Sequence, residues 1–457
     1  MSFKMVVIGG TAAGLSAAAK AKRLDPAIDI KVFEKSAYVS YGSCGLPYYV
    51  GGMIGNVSQL IALTLEELRE ERGLDVRILH EVTRIDRASK TVEVTNAGGA
   101  KEEKLTVPYD KLVVATGARA SLPPIPGVLT EGGLSAGVHV LRNLDDGIAL
   151  KKAAAVARRA VIVGAGFIGI ELAEQLKPLG LDVEIVEMHD SLLPAFPEDY
   201  SQRILALFAD RGVAVHLGTA VREIALKQGA ACGVVLDDGR SIAGDLVIVA
   251  AGATPETGLA RDCGLALGIR NAIAVTDTLQ TADASIWACG DCVESTHILT
   301  GEAVYLPLGT HANKQGRVAG SNIAGRPDRF PGVLGSQVTK LFETYIASTG
   351  LGEREARAHG FDAASSAIVQ PDRPGYYPGG RENRLNLVFD RRSGRILGAQ
   401  GIGGFSVAGR INVLIAAITA GMDLEVLNSL DLLYTPAVAP VYDPLLIAAS
   451  SAMKKLG

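Results

Sequence analysis

The sequence predicts an α/β protein with a duplicated parallel-sheet core and a separate C-terminal α+β region. Three observations carry this. The chain has 457 residues, 48% of them hydrophobic, with 53 glycines and only 5% aromatics. That mix suits Val/Ile/Ala-rich parallel strands joined by tight βα turns. One pattern of strand, glycine turn, helix, strand and closing acid occurs twice, with its first glycine at position 9 and again at position 164. Beyond residue 330 the pattern does not return. There Arg384-Leu385-Asn386-Leu387-Val388-Phe389 alternates like a strand, and Ile411 to Ala420 reads as a helix. A chain of this length holds two or three domains, each able to bury a core.

In the first copy, Met5-Val6-Val7-Ile8 is a buried strand and Gly9-Gly10-Thr11-Ala12-Ala13-Gly14 the turn. An Ala-rich helix follows, then the strand Ile30-Lys31-Val32-Phe33-Glu34. In the second, Ala160-Val161-Ile162-Val163 leads into Gly164-Ala165-Gly166-Phe167-Ile168-Gly169, a helix through Gln175 and the strand Asp182 to Glu187. This is the dinucleotide-binding fingerprint in its structural context. The first glycine permits the tight turn, the middle one lets backbone N–H groups approach a pyrophosphate, and the last allows helix–strand packing. Glu34 and Glu187 are placed to accept hydrogen bonds from an adenosine ribose. Thr11 replaces the middle glycine in the first copy, which on spacing alone is the weaker match. After Glu187, His189 is the only cationic side chain in Met188-His189-Asp190. A carboxylate accepts from a free 2′-hydroxyl and repels a 2′-phosphate, so NADH is expected in preference to NADPH.

Two apolar strands leave in related turns, Lys111 to Ala118 with Ala115-Thr116-Gly117, and Leu246 to Ala253 with Gly252. They read as crossings between a flavin domain and an inserted nicotinamide domain. A buried strand follows in Ser285-Ile286-Trp287-Ala288 and ends in Gly290-Asp291, where an Asp is placed to meet a ribityl chain. Cys289 and Cys292 flank that Gly-Asp as a CxxC. With no second CxxC to complete a zinc site, they read as structural and no metal is expected.

The start, Met1 to Ala21, is read as strand, turn and helix rather than a signal peptide, because Gly9-Gly10, Lys20 and Lys22 interrupt it. No run approaches 18 apolar residues, so no transmembrane helix is expected. The net charge of −4, with no Lys/Arg block, argues against nucleic acid or an acidic membrane surface as partner. Five scattered cysteines point to a reducing, cytoplasmic setting. One of them, Cys44, stands alone in Ser40-Tyr41-Gly42-Ser43-Cys44-Gly45-Leu46-Pro47-Tyr48, and the next is Cys232. A lone thiol bonds reversibly to something outside the chain or cycles through a sulfenic acid. If a helix begins at Gly45-Leu46-Pro47, its N-terminus favours the thiolate.

In this order, these features resemble the two-dinucleotide flavoprotein disulfide reductases. The single cysteine is similar to the one-cysteine branch of coenzyme A disulfide reductase, NADH oxidase, NADH peroxidase and persulfide/polysulfide reductase. The resemblance covers essentially the whole chain, including Ala312-Asn313-Lys314-Gln315-Gly316-Arg317. It implies a discontinuous FAD domain (1–115 and 247–325), an NAD(P) domain (116–246) and a dimerisation domain (330–457). It implies that FAD and NADH, with NADPH as a second donor, are held by Gly9, Gly10, Ala12, Ala13, Gly14, Glu34, Lys35, Val82, Ala115, Thr116, Gly117, Gly164, Gly166, Phe167, Ile168, Gly169, Glu187, Gly252, Gly290, Asp291 and Ala312.

The same resemblance places Cys44 beside the flavin as a mixed disulfide or sulfenate, in a homodimer whose partner subunit completes the site. The acids for the departing thiol would be Tyr376 and Tyr377, in a Tyr-Tyr-Pro-Gly segment, and Tyr434. Thr435 and Ala437 depart from the family's Tyr-Ala-Pro-Pro. Ser40, Ser43, Lys20, Lys22, Arg23 and Arg72 are candidate contacts for a phosphate-bearing substrate such as coenzyme A. Ala12 stands where peroxidases place a His, which weakens a peroxidase reading. His311 is either a proton donor near the flavin or an exposed helix-start residue. No rhodanese-like domain is expected after Gly457. The expected activity is FAD-dependent NAD(P)H:disulfide reduction, on coenzyme A disulfide or a coenzyme A persulfide or polysulfide. The alternatives are an NADH oxidase acting through flavin or a Cys44 sulfenate, and a reductase of a protein electron carrier.

Overall fold

The computed structural model of the chain describes residues 3–96, 98, 103–193 and 196–457. Residues 1, 2, 97 and 99–102 of the expected flavin domain, and 194–195 of the nicotinamide domain, lie outside them. The first glycine unit forms a five-stranded parallel sheet. Its order is Ile286–Ala288, Lys111–Val114, Lys4–Ile8, Asp29–Phe33, Asp75–Arg77. Both faces are covered, which is why Met5, Val6, Val7, Val32, Leu112 and Val113 are all apolar and buried. Helix Ala12–Leu24 packs on one face against helix Gly309–Ile323. Small residues set that spacing: a Cβ on Gly316 would lie 2.2 Å from the Ala13 carbonyl oxygen, and one on Gly320 2.4 Å from that of Ala17. A three-stranded antiparallel sheet, His80–Asp86, Thr91–Asn96 and Glu103–Pro108, completes the unit.

The second unit repeats the design. Its parallel sheet runs Val138–His139, Leu246–Val249, Arg159–Val163, Asp182–Val186, Val213–His216, beside an antiparallel sheet of Val221–Lys227, Ala230–Leu236 and Ser241–Ala243. Leu246–Val249 pairs throughout with this sheet, three residues past the expected domain boundary at 246. The two predicted crossings meet as one ribbon, Ala118–Ala120 against Ala253–Pro255.

From Gln337 the chain forms a five-stranded antiparallel sheet, Gln337–Leu341, Thr344–Gly350, Ile396–Gly403, Glu382–Asp390, Ala363–Pro371. Helices Ser406–Thr419 and Pro444–Met453 bury their apolar faces on it. The strand and helix read from sequence here are both longer than expected. Asn383 is fully buried: its side-chain Nδ2–H donates to Ser406 Oγ at 2.7 Å, and its Oδ1 accepts from the Gly404 N–H at 3.0 Å. That polar clasp carries the strand and the helix start past the apolar pattern. Among the described residues no helix is long and apolar enough to cross a membrane.

The three domains share one core at a single short helix, Leu46–Val50. Leu46, Tyr49 and Val50 pack in one cluster with Leu141, Ala173 and Leu176 of the second unit and with Leu341, Ile346 and Ile402 of the C-terminal sheet. Lys151 reaches in from the second unit and donates to the Tyr49 carbonyl at 2.7 Å. A Lys at the end of a helix satisfies orphan carbonyls and complements the dipole. The second unit also grips the C-terminal sheet directly. Thr339 Oγ1 donates to Glu171 at 2.8 Å, Lys340 pairs with Glu174 at 3.0 Å, and Tyr200 donates to the Gln400 carbonyl at 3.0 Å.

Candidate active site

The two glycine turns are near copies. Gly9 and Gly164 have φ of +109° and +106°, and a Cβ on either would collide with a facing carbonyl oxygen, at 2.1 Å from Ala115 and 2.6 Å from Ala250. Gly14 and Gly169 leave no room either, with the oxygens of Gly9 and Gly164 at 2.0 and 2.1 Å from a built Cβ. The closing acids are clamped alike. The Gly10 N–H donates to Glu34 and the Ala165 N–H to Glu187, each at 2.8 Å. Both following helices, Ala12–Leu24 and Phe167–Leu176, start without any side-chain cap. Uncapped first-turn N–H groups beneath a turn with no room for side chains fit a pyrophosphate. The residues present therefore fit a dinucleotide in each unit.

Gly166 differs from its neighbours. Its φ is −69° and nothing lies within 4 Å of a built Cβ. Gly166→Ala is therefore expected to fold like the parent yet raise the KM for NADH, by roughly tenfold for loss of about one good contact. Gly164→Ala is strained whatever the ligand, at a cost of about 1–3 kcal/mol. Thermal melting beside steady-state kinetics separates the two; a melting temperature lowered equally by both would contradict this reading.

Other expected cofactor residues converge. A Cβ on Gly290 would sit 2.7 Å from that of Ala13 and 3.7 Å from that of Ala312, so strand end, first helix and late helix meet at one point. The Gly290 N–H donates to the buried Gln315 side chain at 2.8 Å. Thr116 Oγ1 donates to the Glu256 carbonyl at 2.5 Å, Gly117 takes a positive φ, and the Gly252 carbonyl accepts from Ser121 at 2.9 Å. Val82 is buried and Lys35 is exposed. Asp291 is not free: Arg142 forms an ion pair with its carboxylate, while the Arg142 Nε donates to the Ala118 carbonyl at 3.0 Å. Sequence reasoning missed Arg142. It precedes the capping residue Asn143 of helix Leu144–Ala154, and only the fold brings it to a strand 149 positions on.

The Cys44 segment is pinned to the first glycine turn. The Ser40 N–H donates to the Gly10 carbonyl at 3.0 Å, with Ser40 in the left-handed region at φ +50°. Ala62 and Gly42 then tie the segment to residues 60–62, through Ala62 N–H to Ser40 O at 2.6 Å and Gly42 N–H to Leu60 O at 2.9 Å. Ser43–Gly45 form a single tight turn that runs straight into helix Leu46–Val50. Cys44 is exposed and free. Cys289 and Cys292 are also free but buried at the end of their strand, where burial pushes both thiols up. Among the described residues no group of three or more His, Cys, Asp or Glu could hold a metal.

Tyr48, one helical turn after Cys44, is a second residue the sequence reading passed over. Burial, then Glu171 and Glu174, then Tyr345 and Cys44, push its hydroxyl up to about 12. Glu171 is itself raised by burial, opposed by the Thr339 hydrogen bond. His311 is neither exposed nor free: its Nδ1 lies 3.2 Å from the Leu306 carbonyl, its ring meets Phe330 edge-on, and burial lowers its pKa.

The tyrosine segments come together. Tyr376 and Tyr434, far apart in sequence, place their hydroxyls 3.5 Å apart, and Tyr377 lies in the same loop. Hydrogen bonding to Tyr434 raises the Tyr376 pKa. All three are exposed, with Phe405, Leu433, Val438, Val441 and Tyr442 also exposed on this domain. Lys20, Arg23 and Arg72 are not drawn into a cluster: among the described residues none makes a side-chain hydrogen bond or ion pair. Lys22 is spent on the carbonyls of Pro26 and Ile28, each at 2.9 Å.

Two dinucleotide-type units, with an exposed thiol on a segment hydrogen-bonded to one of their glycine turns, define the class of two-dinucleotide oxidoreductases. Comparison with known proteins gives the family. The model described as pyridine nucleotide-disulphide oxidoreductase matches residues 3–316, and that of its dimerisation domain matches 336–444, so the chain belongs to the pyridine nucleotide-disulphide oxidoreductase family. It is an FAD-dependent oxidoreductase that uses a pyridine nucleotide. The chain is 36% identical to a NAD(P)H coenzyme A polysulfide/persulfide reductase of Pyrococcus horikoshii, over 98% of each chain. It is 34% identical to an NADH oxidase of Methanocaldococcus jannaschii, over 99% of each. The solved structure of a NAD-dependent persulfide reductase from A. fulgidus superimposes with a TM-score of 0.94 at 39% identity, covering 99% of this chain and 83% of that one.

Proposed function

We propose that this protein reduces a coenzyme A persulfide, polysulfide or disulfide with NADH, using Cys44 as its one redox sulfur. The observation that carries the reading is the exposed, unpaired Cys44 on a segment hydrogen-bonded directly to the first glycine turn. Bound FAD would supply hydride acceptance from NADH and delivery of two electrons to sulfur. The chain's own residues handle the sulfur. The Cys44 thiolate attacks one sulfur of RS–SR, one RS⁻ leaves, and a mixed disulfide forms. Two electrons then part that bond into the Cys44 thiolate and a second RS⁻. Each leaving thiolate takes one proton, so RSSR, NADH and H⁺ give two RSH and NAD⁺.

Tyr434 and Tyr376, with Tyr377 beside them, are proposed to donate those protons across a dimer interface. Their exposure among apolar side chains, on a domain matched by the dimerisation family, supports that role. Ser40, Ser43, Lys20, Arg23 and Arg72 are the polar and basic side chains proposed to meet the phosphate-bearing substrate.

Mass spectrometry of the unreduced enzyme tests the reading. An adduct of coenzyme A mass on the Cys44 peptide, with faster turnover of coenzyme A disulfide or persulfide than of oxygen, is the expected result. A sulfenate or sulfinate on that peptide, with oxygen as the faster acceptor, would replace the proposal with the oxidase.

A further inference from the structure

The internal duplication supplies its own control for one side chain. In the first unit Glu34 is held by backbone alone, its two oxygens accepting from the Gly10 and Ser36 N–H groups at 2.8 Å each. In the second unit the equivalent Glu187 has the same backbone donors, Ala165 at 2.8 Å and His189 at 2.9 Å, and one addition. The His189 ring lies on the same Glu187 oxygen, Nδ1 to Oε1 at 2.7 Å. The carboxylate only accepts, so Nδ1 carries the proton and Nε2 is left as an acceptor on an exposed ring. Protonation therefore does two things at one spot. It places a positive charge against Glu187, and it turns Nε2 into a donor directed away from that acid.

The cations on the neighbouring elements are already engaged: Arg240 pairs with Asp238 at 2.6 Å, and its Nη1 lies 3.5 Å from His216 Nδ1. On the same turn Met188 is exposed and Asp190 is the other charged residue. The segment packed against the turn is Leu217–Thr219, held by the Gly218 N–H to His189 O bond at 2.9 Å, and it brings no charge. Before it, His216 is engaged by Glu184 at 2.7 Å. After it, Thr219 holds Asp237 at 2.7 Å. The facing glycine turn contributes backbone N–H groups and no ionisable side chain.

We propose that His189 is a protonation-dependent specificity residue: neutral, it leaves Glu187 to exclude a 2′-phosphate, and protonated, it admits NADPH as a second electron donor. The inference rests on the reading that the second unit holds the adenosine ribose at Glu187. The discrimination therefore relaxes as the ring gains its proton, towards acid pH.

The test uses FAD-loaded enzyme and two probes, 5′-AMP and 2′,5′-ADP, whose binding is measured by calorimetry between pH 5.5 and 8.5. For the parent, the affinity of 2′,5′-ADP relative to 5′-AMP should rise on the order of tenfold towards the acid end, the worth of one charge-assisted hydrogen bond. The 2′-phosphate titrates too, near pH 6, so His189→Gln serves as reference and should flatten the profile. His189→Arg should hold the ratio high at every pH. The kcat/KM ratio for NADPH over NADH should follow the same three profiles. Coincident profiles for parent and His189→Gln would overturn the inference. If Glu187→Ala leaves 5′-AMP affinity unchanged, the ribose assignment falls instead, and His189 with it.

Discussion

Cys44→Ser is expected to remove disulfide reduction, by about a thousandfold or more, while the enzyme keeps its FAD and is still reduced by NADH. Losses of that order follow removal of a nucleophile whose role no other group can take. The remaining cysteines cannot substitute. Cys289 and Cys292 are buried with raised pKa values, Cys263 is half-buried with its thiol also pushed up by burial, and Cys232 lies out on the antiparallel strand Ala230–Leu236. The substitution should also be structurally quiet. Cys44 is exposed, and the turn around it is fixed by backbone bonds such as Gly45 N–H to Gly42 O at 3.0 Å. Flavin absorbance, anaerobic titration with NADH and turnover of coenzyme A disulfide measure the three properties separately. Turnover at the parental rate in the serine variant would sink the mechanism. Oxygen consumption should be followed in parallel, because direct reoxidation of reduced flavin does not need the thiol.

Tyr434→Phe is the second large effect expected, a loss on the order of 10²–10⁴ in disulfide reduction with flavin reduction by NADH left intact. Tyr376 and Tyr434 share a hydroxyl contact at 3.5 Å, so their losses should not add. The double variant should be little worse than the worse single. Mixed dimers make the test sharper. A Cys44→Ser subunit beside a Tyr434→Phe subunit keeps one intact pairing if the acid acts across the interface. Activity in such dimers no higher than in either parent variant would confine the acid to its own subunit. A Tyr434→Phe enzyme with unchanged kinetics would instead shift the acid role to Tyr376 or Tyr377, or to Tyr48 one helical turn from Cys44.

The duplicated units were legible in the sequence because their constraints are local. A glycine at φ above +100°, an apolar strand and an acid at the strand end are all written within about thirty consecutive residues, the span of a βαβ unit. Cys44 was legible for the same reason. Arg142, Tyr48 and Glu171 were not. Each acquires its meaning from a residue brought close by the fold: Asp291 for Arg142, Glu171 for Tyr48 and Thr339 for Glu171. The meeting of Tyr376 and Tyr434 was predicted only through a family resemblance, since neither segment has a periodicity that announces the other. For His311 the sequence left two readings open, a proton donor near the flavin and an exposed helix-start residue, and the fold removes the second, because Phe330 from a following loop meets its half-buried ring edge-on.

The helix that follows directly on Cys44 has a consequence for how this enzyme breathes. Leu46 and Val50, at 2% and 1% exposure, belong to a core cluster that also takes in residues of the second unit and of the C-terminal sheet, so the five-residue segment has no private core to melt. Local opening elsewhere in a protein runs through loops and frayed ends, at free energies far below that of global unfolding. Here the backbone amides of Val50 and Gly51, the latter donating to the Pro47 carbonyl at 3.0 Å, should exchange with deuterium as slowly as those of the central strands Lys4–Ile8 and Arg159–Val163. The neighbouring Ser58 and the hairpin residues Asp238 and Gly239 should exchange early. The exposed sulfur thus rides on a part of the backbone that lets go last, and heating should cost the enzyme its fold before it costs the thiol its position.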